Sequence, residues 1–443
     1  MSGGVPYGQP ERVDMTTETA ARPPKVLIIS QGAPGVGKDA NSIMLWRLLK
    51  YFPANSYMVL SSNKNWPDGR VPQAQREDGH RCFVGSVVRS GIGGSGGETF
   101  SVVHSTHSTL RILKDWLWRP VKSVLHRIVD PVSAVVQTWS AAGTATAIVE
   151  NEEITSILAI SDVGPCLMAG WIAHGRTGIP LDLFIYDLWR GNVLSWFQQL
   201  MASLFQRRVL AASRRVFSGS EGVCEYLDAE LGIESVVVRN SVIARGVTSV
   251  GSRSVSGSPM VVLYTGGVYW AQLDAILDLI AAVRDMVDIE FHIYSRQSQG
   301  QLAVMGVTGN NVVVHQGLPE DEVRDRQATA DVLYLPMSFG KKGRLIIATA
   351  QPAKSVEYMA SGVPVLVHAP AYAFATRYAR EHDIAIVVDQ PGPDELTRVL
   401  MALISDRTDA QRKAARAAEL ASKSHDSLEV SHLLQSYLLY ERA

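Results

Sequence analysis

Residues 351–367 have the sequence Gln-Pro-Ala-Lys-Ser-Val-Glu-Tyr-Met-Ala-Ser-Gly-Val-Pro-Val-Leu-Val, and this stretch carries the clearest structural signal in the chain. Its order predicts a loop, a helix that begins near Pro352, a stop at Gly362 and a buried strand. Proline at the start of a helix and glycine just past its end follow the usual asymmetry of helix ends. The free N–H groups of residues 353–356 lie at the positive end of this helix, and Lys354 adds a full charge. The segment therefore predicts a site for a diphosphate.

A carboxylate lies one turn further into the same helix. Glu357 could accept both hydroxyls of a ribose, as an acidic residue does in dinucleotide-binding sites. A phosphate site and a diol acceptor one turn apart suit a nucleoside diphosphate. We therefore expect Pro352, Ser355, Val356 and Glu357 to contact such a ligand.

Short apolar strands alternate with helical segments on both sides of this stretch. The predicted strands are Val26–Ile29, Ile154–Ile160, Leu181–Tyr186, Arg215–Phe217, Ser235–Val238, Val261–Tyr264, Ile289–Tyr294, Val312–Val314, Val332–Leu335, Val363–Val367 and Ile384–Val388. Apolar strands separated by helices predict parallel sheets that are covered on both faces. The chain is therefore predicted to be an α/β protein of two doubly wound, Rossmann-like domains, with ligands bound in a cleft at the carboxyl ends of the strands.

Local composition predicts the domain boundaries. Residues 1–24 have no periodicity and are predicted to be a disordered arm. The first domain then spans residues 25–240, the Ser- and Gly-rich linker 241–258, and the second domain 259–410. The helical patterns within residues 411–443 are long enough to pack back across the domain boundary.

The overall composition is that of an ordinary globular protein of 443 residues, of which 46% are hydrophobic and 19% charged. A formal net charge of −1 argues against a dedicated nucleic-acid-binding protein, which usually carries a basic excess. The three separated cysteines give no disulfide framework and fit a reducing cytosol. The histidines lack the spacing of metal ligands, and no uncharged apolar run approaches the ~18 residues of a membrane span. We therefore expect a cytoplasmic protein without a metal site.

Residues 351–367 resemble the nucleotide-sugar site of the GT-B glycosyltransferases, specifically retaining glycosyltransferase family 4 and its glycosyltransferase 1 group domain. The pattern Pro-x-Lys-x-x-Glu-Tyr-Met-Ala-x-Gly-x-Pro-Val is matched by Pro352, Lys354, Glu357, Tyr358, Met359, Ala360, Gly362, Pro364 and Val365. Weaker matches follow in the family's order at residues 186–189, 218–222, 239–241, 261–267, 316–317 and 330–336. The resemblance covers roughly residues 25–404.

The resemblance implies an enzyme that moves a sugar from a nucleotide diphosphate donor to a saccharide or lipid-linked acceptor, in the synthesis of cell-surface polysaccharide or glycan. It implies retention of the anomeric configuration and no catalytic metal or other cofactor. Further donor contacts are implied at Gly266, Gly267, Gln316 and Gly317. The residues expected to carry the reaction are Lys354, Glu357, Asp187 and Arg344.

The chain departs from the family's pattern at three places, one of which is Tyr186, where the family often has a His before the Asp of the acceptor-domain strand. Thr349 stands eight residues before Glu357, where the family has its first glutamate. The turn 268–272 lacks the arginine and lysine that many members carry to neutralise the leaving diphosphate. The positive charge must then come from Lys354, Arg344, Lys341 or Lys342. These departures leave a non-catalytic binding protein with the GT-B fold as one alternative.

A second alternative comes from Gly32-Ala33-Pro34-Gly35-Val36-Gly37-Lys38, which follows a strand and precedes a helix as a P-loop does. A P-loop continues with Ser or Thr to hold Mg²⁺, whereas this chain has Asp39, which would repel a phosphate. A P-loop-type nucleotide hydrolase is therefore the rival function. In a GT-B domain the amides of Gly35, Val36 and Gly37 would instead face the cleft on the acceptor side.

Two further stretches of the first domain have distinctive composition. Residues 63–99 are rich in Gly, Ser, Arg and Gln and are predicted to be a mobile loop. Residues 109–127 interleave basic side chains with Leu and Trp. This pattern is typical of an ordinary helix with a solvent-exposed basic face, or of a helix that lies on an anionic membrane surface. The second interpretation predicts peripheral contact with the inner face of the membrane and favours a lipid-linked acceptor.

Overall fold

The computed structural model describes residues 24–32, 34–35, 40–62, 81–85, 134–161, 164–192, 195–243 and 258–440. Within these ranges the chain forms two parallel sheets, one of seven strands and one of six, with helices between the strands. The predicted α/β architecture of two doubly wound domains is confirmed.

The sheet of the first domain contains β1 (Val26–Ser30), β2 (Tyr57–Ser62), β3 (Arg81–Gly85), β4 (Ser156–Ile160), β5 (Leu181–Ile185), β6 (Arg215–Ser218) and β7 (Val236–Val237). Its spatial order is β3-β2-β1-β4-β5-β6-β7. Strands β1, β4 and β5 are buried along their whole length, as apolar strands between two helical layers must be. The order reverses between β1 and β4, and ligand crevices form at such reversals.

The described helices of the first domain are α1 (Ala40–Leu49), α2 (residues 134–151), α3 (Pro165–Thr177), α4 (Trp196–Ala212) and α5 (Glu221–Leu231). Local sequence explains where two of them begin and end. Pro165 occupies the first turn of α3, and Gly178 ends that helix in the left-handed conformation at φ 72°. Ser195 starts α4 with a reciprocal capping box to Gln198.

The sheet of the second domain contains β8 (Met260–Thr265), β9 (Ile289–Ser295), β10 (Val312–Gln316), β11 (Val332–Pro336), β12 (Val365–His368) and β13 (Ile386–Val388). Its order, β10-β9-β8-β11-β12-β13, reverses between β8 and β11. The connecting helices are α6 (Leu273–Val283), α7 (Gln299–Val304), α8 (Glu320–Ala328), α9 (Arg344–Thr349), α10 (Ala353–Ala360), α11 (Phe374–His382) and α12 (Pro393–Ser405). The turn after β8 and the start of α10 both lie at the carboxyl edge of this sheet.

The last helices, α13 (Thr408–Ser424) and α14 (Ser427–Gln435), join the two domains. Ala417 and Ala421 of α13 belong to the core of the second domain, whereas Leu434 of α14 packs in the core of the first. The hydroxyl of Ser431 donates a hydrogen bond of 2.7 Å to the carbonyl of Leu48 in α1. A turn of π-helix, Ser436–Tyr440, continues α14.

The prediction of a loop over residues 63–99 is wrong in part, because Arg81–Gly85 form β3 on the edge of the first sheet. The strand has only five residues and is flanked by polar and glycine-rich sequence, so it carries no readable apolar period. Strand β2 is also absent from the predicted strands. The predicted arm (except Pro24), most of the linker and the basic stretch 109–127 lie outside the described residues, as do Val36, Gly37 and Lys38.

Candidate functional site

A glycine turn follows β8 at the point where the strand order of the second sheet reverses. Gly266 has a φ of 126°, a conformation that side-chain-bearing residues rarely adopt, and its N–H donates to the carbonyl of Tyr294 at 2.8 Å. A Cβ at this position would collide with Cε of Lys354. Because Gly266 has no side chain, the side chain of Lys354 can occupy this space.

Lys354 extends from the first turn of α10 over this glycine turn. Its ammonium group lies 3.3 Å from the hydroxyl of Tyr264 and 5.0 Å from the centre of the Tyr264 ring. Burial raises the pKa of Tyr264, so its phenol stays neutral and donates to the carbonyl of Gly267 at 2.7 Å. The result is a cation held beside a strand-end turn, with neutral groups beneath it.

Tyr358 fixes α10 against the end of β8. Its buried hydroxyl accepts a hydrogen bond of 3.0 Å from the backbone N–H of Thr265, and burial raises the pKa of Tyr358 to about 12. Because Tyr358 lies one turn after Lys354 in the same helix, this contact sets the distance between Lys354 and the glycine turn.

The start of α10 offers fewer free amides than the sequence predicts. The N–H and the hydroxyl of Ser355 both donate to the carbonyl of Pro352, at 2.9 and 2.6 Å. Among the described residues, the amides of Ala353 and Lys354 have no acceptor. Two backbone donors and one ammonium group thus point to the same end of the helix, which is favourable for an anion. Val356 is fully buried and can contribute only through its backbone.

Glu357 faces the first domain. Its Oε1 accepts a hydrogen bond of 2.8 Å from Nη2 of Arg47 in α1, whose Nη1 donates to the carbonyl of Ser241 at 2.9 Å. Arg47 is 1% exposed, whereas the Glu357 side chain is 17% exposed. No described residue bonds to Oε2 of Glu357, so one oxygen is neutralised and the other is available to a ligand. Sequence reasoning missed Arg47, although a lone arginine within the apolar run Ile43–Leu49 was a signal.

The segment before α10 is also fixed by the first domain. The hydroxyl of Ser220 donates to the carbonyl of Thr349 at 2.6 Å, and the amide of Asn240 donates to the carbonyl of Gln351 at 2.8 Å. A Cβ on Gly222 would lie 2.6 Å from the Thr349 carbonyl. Thr349 is therefore buried in the domain interface, in a place that does not suit the family's glutamate.

Two basic side chains, Lys342 and Arg344, come from segments other than the turn 268–272, which itself contains no basic residue. The ammonium of Lys342 is 5.4 Å from the ring centre of Trp270, which belongs to the turn 268–272. The guanidinium of Arg344, at the start of α9, stacks at 4.0 Å over the ring of Tyr372. Lys342 thus brings a positive charge over the turn from a neighbouring loop.

Gln316 is the last residue of β10 and Gly317 follows it, and this strand lies two strands away from β8. Two strand spacings amount to about 10 Å, a distance that a nucleoside can span. A Cβ on Gly317 would lie 3.0 Å from Cγ and 3.1 Å from the backbone nitrogen of Arg296. The glycine thus lets the loops after β9 and β10 pack closely, and Gln316 stays exposed at their edge.

Asp187 follows β5 on the opposite side of the cleft. The hydroxyl of Ser161 accepts hydrogen bonds from the backbone N–H groups of Tyr186 and Asp187, at 2.9 and 3.4 Å. Burial raises the pKa of Asp187 to about 6, and no described residue bonds to its carboxylate. The same loop reaches the second domain, since a Cβ on Gly191 would collide with Leu345, the neighbour of Arg344. The structure therefore brings the loop of Asp187 against the helix of Arg344.

Gly35 lies in the loop after β1, and its N–H bonds to the carbonyl of Ser42 at 3.3 Å. No atom of the described residues lies within 4 Å of the position that a Cβ would occupy there. Among the described residues, no group of three or more His, Cys, Asp or Glu side chains could hold a metal ion. None of the helices in the described ranges combines the length and apolarity needed to cross a bilayer.

Solved structures share this fold. The sucrose-phosphate synthase of Thermosynechococcus elongatus superposes with a TM-score of 0.66 at 13% identity, over 94% of this chain and 98% of that one. A glycosyltransferase of Rickettsia africae gives a TM-score of 0.59 at 10% identity, over 95% and 100%. Anabaena HepE in complex with UDP-glucose gives 0.58 at 15% identity, over 94% and 99%. At these identities the likeness establishes the fold alone.

The sequence itself matches a family model. Residues 259–406 match the model described as Glycosyl transferases group 1, whereas no curated protein matches the chain. The matched region contains the glycine turn, α9 and α10, and so it contains the predicted donor site. Residues 259–406 therefore form a glycosyl transferases group 1 domain, and the chain as a whole has the GT-B fold.

Proposed function

We propose that this enzyme transfers a sugar from a nucleotide diphosphate-sugar, bound by the second domain, to a saccharide or lipid-linked acceptor held by the first. We further propose that the reaction retains the anomeric configuration and serves the synthesis of cell-surface polysaccharide or glycan. The observation that carries the proposal is the position of Lys354 over the glycine turn at the start of α10.

Charge on the departing diphosphate is the main electrostatic demand of this reaction. The ammonium of Lys354 and the amides of Ala353 and Lys354 converge where such a group would dock. Fixed donors of this kind stabilise developing charge strongly when water is excluded from the site. Lys342 and Arg344 supply further positive charge on the neighbouring loop and helix, in place of the cations missing from the turn 268–272.

The remaining donor contacts follow from the same placement. Glu357 presents its free oxygen to the pentose hydroxyls, and Gln316 with Gly317 borders the base about 10 Å from the glycine turn. UDP is the first nucleotide to test, because HepE, which shares the fold, was solved with UDP-glucose.

Asp187 is the proposed contact for the acceptor. Its carboxylate lies in a half-buried position at the carboxyl end of β5, and its pKa of about 6 lets it change protonation near neutral pH. A group of this kind can orient an acceptor hydroxyl by accepting its hydrogen bond. The proposal that the anomeric configuration is retained rests on the family resemblance. Proton NMR of the freshly formed product tests it, because the spectrum distinguishes the two anomers.

A thermal-shift panel of UDP, GDP, ADP and their sugar conjugates tests the donor proposal. A ligand that binds only the native state raises the melting temperature by mass action. We expect one nucleotide series to stabilise the wild-type protein, with a smaller shift in Lys354→Met and an unchanged shift in Lys423→Met, whose side chain is 70% exposed on α13. Magnesium-dependent turnover of ATP or GTP that is lost in Lys38→Ala would contradict the proposal and favour a P-loop hydrolase.

A further inference from the structure

The first domain contains an apolar pocket of about 360 Å³ between helices α2, α3 and α4. We propose that this pocket binds the hydrocarbon chain of an amphiphilic acceptor, whose polar end then lies near Asp187. This inference rests on the proposed function, because it assigns a chemical class to the acceptor of that reaction. The main apolar walls of the pocket are Val135, Trp139, Met168, Trp171, Phe197 and Phe205.

One end of the pocket lies at the carboxyl edge of the first sheet. Gly164 and Pro165 at the start of α3, and Phe197 near the start of α4, line it, and these helices start at the carboxyl ends of β4 and β5. Trp189 also lines it and lies two residues after Asp187. From Gly164 to Ile172 the wall formed by α3 extends for about 12 Å, at 1.5 Å per residue. The pocket therefore runs from the edge that carries Asp187 along the helical layer.

The lining has few polar groups, and the hydrogen bonding of three of them is defined. The hydroxyl of Thr138 donates to the carbonyl of Ala134 at 2.8 Å, and the carboxamide oxygen of Gln198 accepts from the N–H of Ser195 at 3.0 Å. Nε1 of Trp189 is buried and has no partner among the described residues, and the whole side chain is only 3% exposed. The site thus offers mainly apolar walls, with few polar side chains among the described residues that line it.

A glycine places this indole. Gly164 has a φ of 118°, and a Cβ there would lie 2.6 Å from Nε1 of Trp189. The indole therefore packs directly on the backbone at the start of α3, and the absence of a side chain on Gly164 allows this close contact.

The chemistry of the walls selects the occupant. A saccharide would leave its hydroxyls without partners against these side chains, which is unfavourable in a water-excluded site. Water is also poorly held by a cavity whose walls are mainly apolar. A volume of about 360 Å³ is within the range of ligand pockets, and an alkyl or isoprenoid chain matches these apolar walls.

The test is calorimetric titration of the full-length protein with methyl, butyl, hexyl and octyl glucoside, each below its micelle-forming concentration. Burial of each added methylene is expected to tighten binding about fourfold until the pocket is filled. Met201→Trp fills the pocket from α4 and should abolish this dependence on chain length. Leu204→Trp makes the same change three residues later in that helix, at a side chain that is 53% exposed and outside the lining, and should preserve it.

A nucleotide thermal shift measured on the same samples separates the two proposals. Affinities that do not change with chain length in the wild-type protein, or that rise equally in Met201→Trp, would overturn the lipid pocket while the nucleotide shift persists. Absence of any nucleotide shift in the wild-type protein would overturn the proposed function instead. The same shift in Met201→Trp shows that this variant is folded.

Discussion

Arg47 in the first domain donates a hydrogen bond of 2.8 Å to Glu357 in the second, across a separation of 310 residues in the chain. Arg47 is 1% exposed and also donates to the carbonyl of Ser241, where the chain leaves the first domain. The proposed ribose-binding carboxylate is therefore oriented by the neighbouring domain. The shape of the donor site depends on how the two domains pack.

Removal of the buried guanidinium should destabilise the protein. Arg47→Met leaves the charge of Glu357 without its partner in a site that is largely shielded from water, and loss of one member of a buried pair costs about 3 kcal/mol. We expect a clear fall in melting temperature by calorimetry. Arg398→Met, which removes an ion pair of a 71% exposed arginine, should leave the melting temperature nearly unchanged because water screens such a pair. Equal melting temperatures for the two variants would contradict a structural role for Arg47.

Glu357→Ala should weaken nucleotide binding. Hydrogen bonds to a charged group contribute about 1.5–3 kcal/mol, so the affinity should fall roughly tenfold to a hundredfold. Titration calorimetry well below the melting temperature measures this loss apart from any loss of stability. The matched control is Glu419→Ala on the surface of α13, which should bind like the wild-type protein. An unchanged affinity for Glu357→Ala would remove this residue from the site.

Gly266→Ala tests the fit between the glycine turn and the lysine. The new Cβ would be strained at a φ of 126° and would displace Lys354, so nucleotide affinity should fall by at least about tenfold. Stability should fall by about 1–3 kcal/mol. Gly300→Ala in α7 meets no atom within 4 Å and has no unusual φ, so it should be neutral or slightly stabilising. Full nucleotide affinity in Gly266→Ala would show that Lys354 does not need its present position.

Asp187 should make the folded state less stable as the pH rises. Its folded pKa of about 6 exceeds the ordinary value of 3.8, so its contribution is fully present below pH 3.8 and is lost as the pH rises through 6. Asp187→Asn cannot ionise, and we expect it to melt about 1–3 °C higher than the wild-type protein at pH 7.5. The difference should shrink at pH 4.5. A lower melting temperature for Asp187→Asn at pH 7.5 would mean that the ionised carboxylate is stabilised in the fold.

Alternation of apolar strands with helices was sufficient to predict two parallel sheets, because strands buried on both faces leave a continuous apolar signal. Strand β3 was not predicted, because an edge strand of five residues between polar segments has no continuous apolar signal. The motif at residues 351–367 likewise predicted α10 and β12, which begin and end close to the predicted positions.

The partners within the site could be predicted only in part. The match around Lys354 and Glu357 pointed to both residues, because a helix start with a lysine and an acid one turn on has a direct chemical meaning. The pairing of Glu357 with Arg47 depends on domain packing, and no local pattern encodes a contact over 310 residues. The position of Lys342 over Trp270 has the same origin, since the two residues meet only after the sheet has formed.

A crystal structure of the protein with its stabilising nucleoside diphosphate tests the proposed donor site most directly. We expect diphosphate oxygens within hydrogen-bond distance of the Lys354 ammonium and the amides at the start of α10, with the pentose hydroxyls on Glu357. Phosphates bound beside Lys38 in the first domain, with the start of α10 left empty, would contradict it.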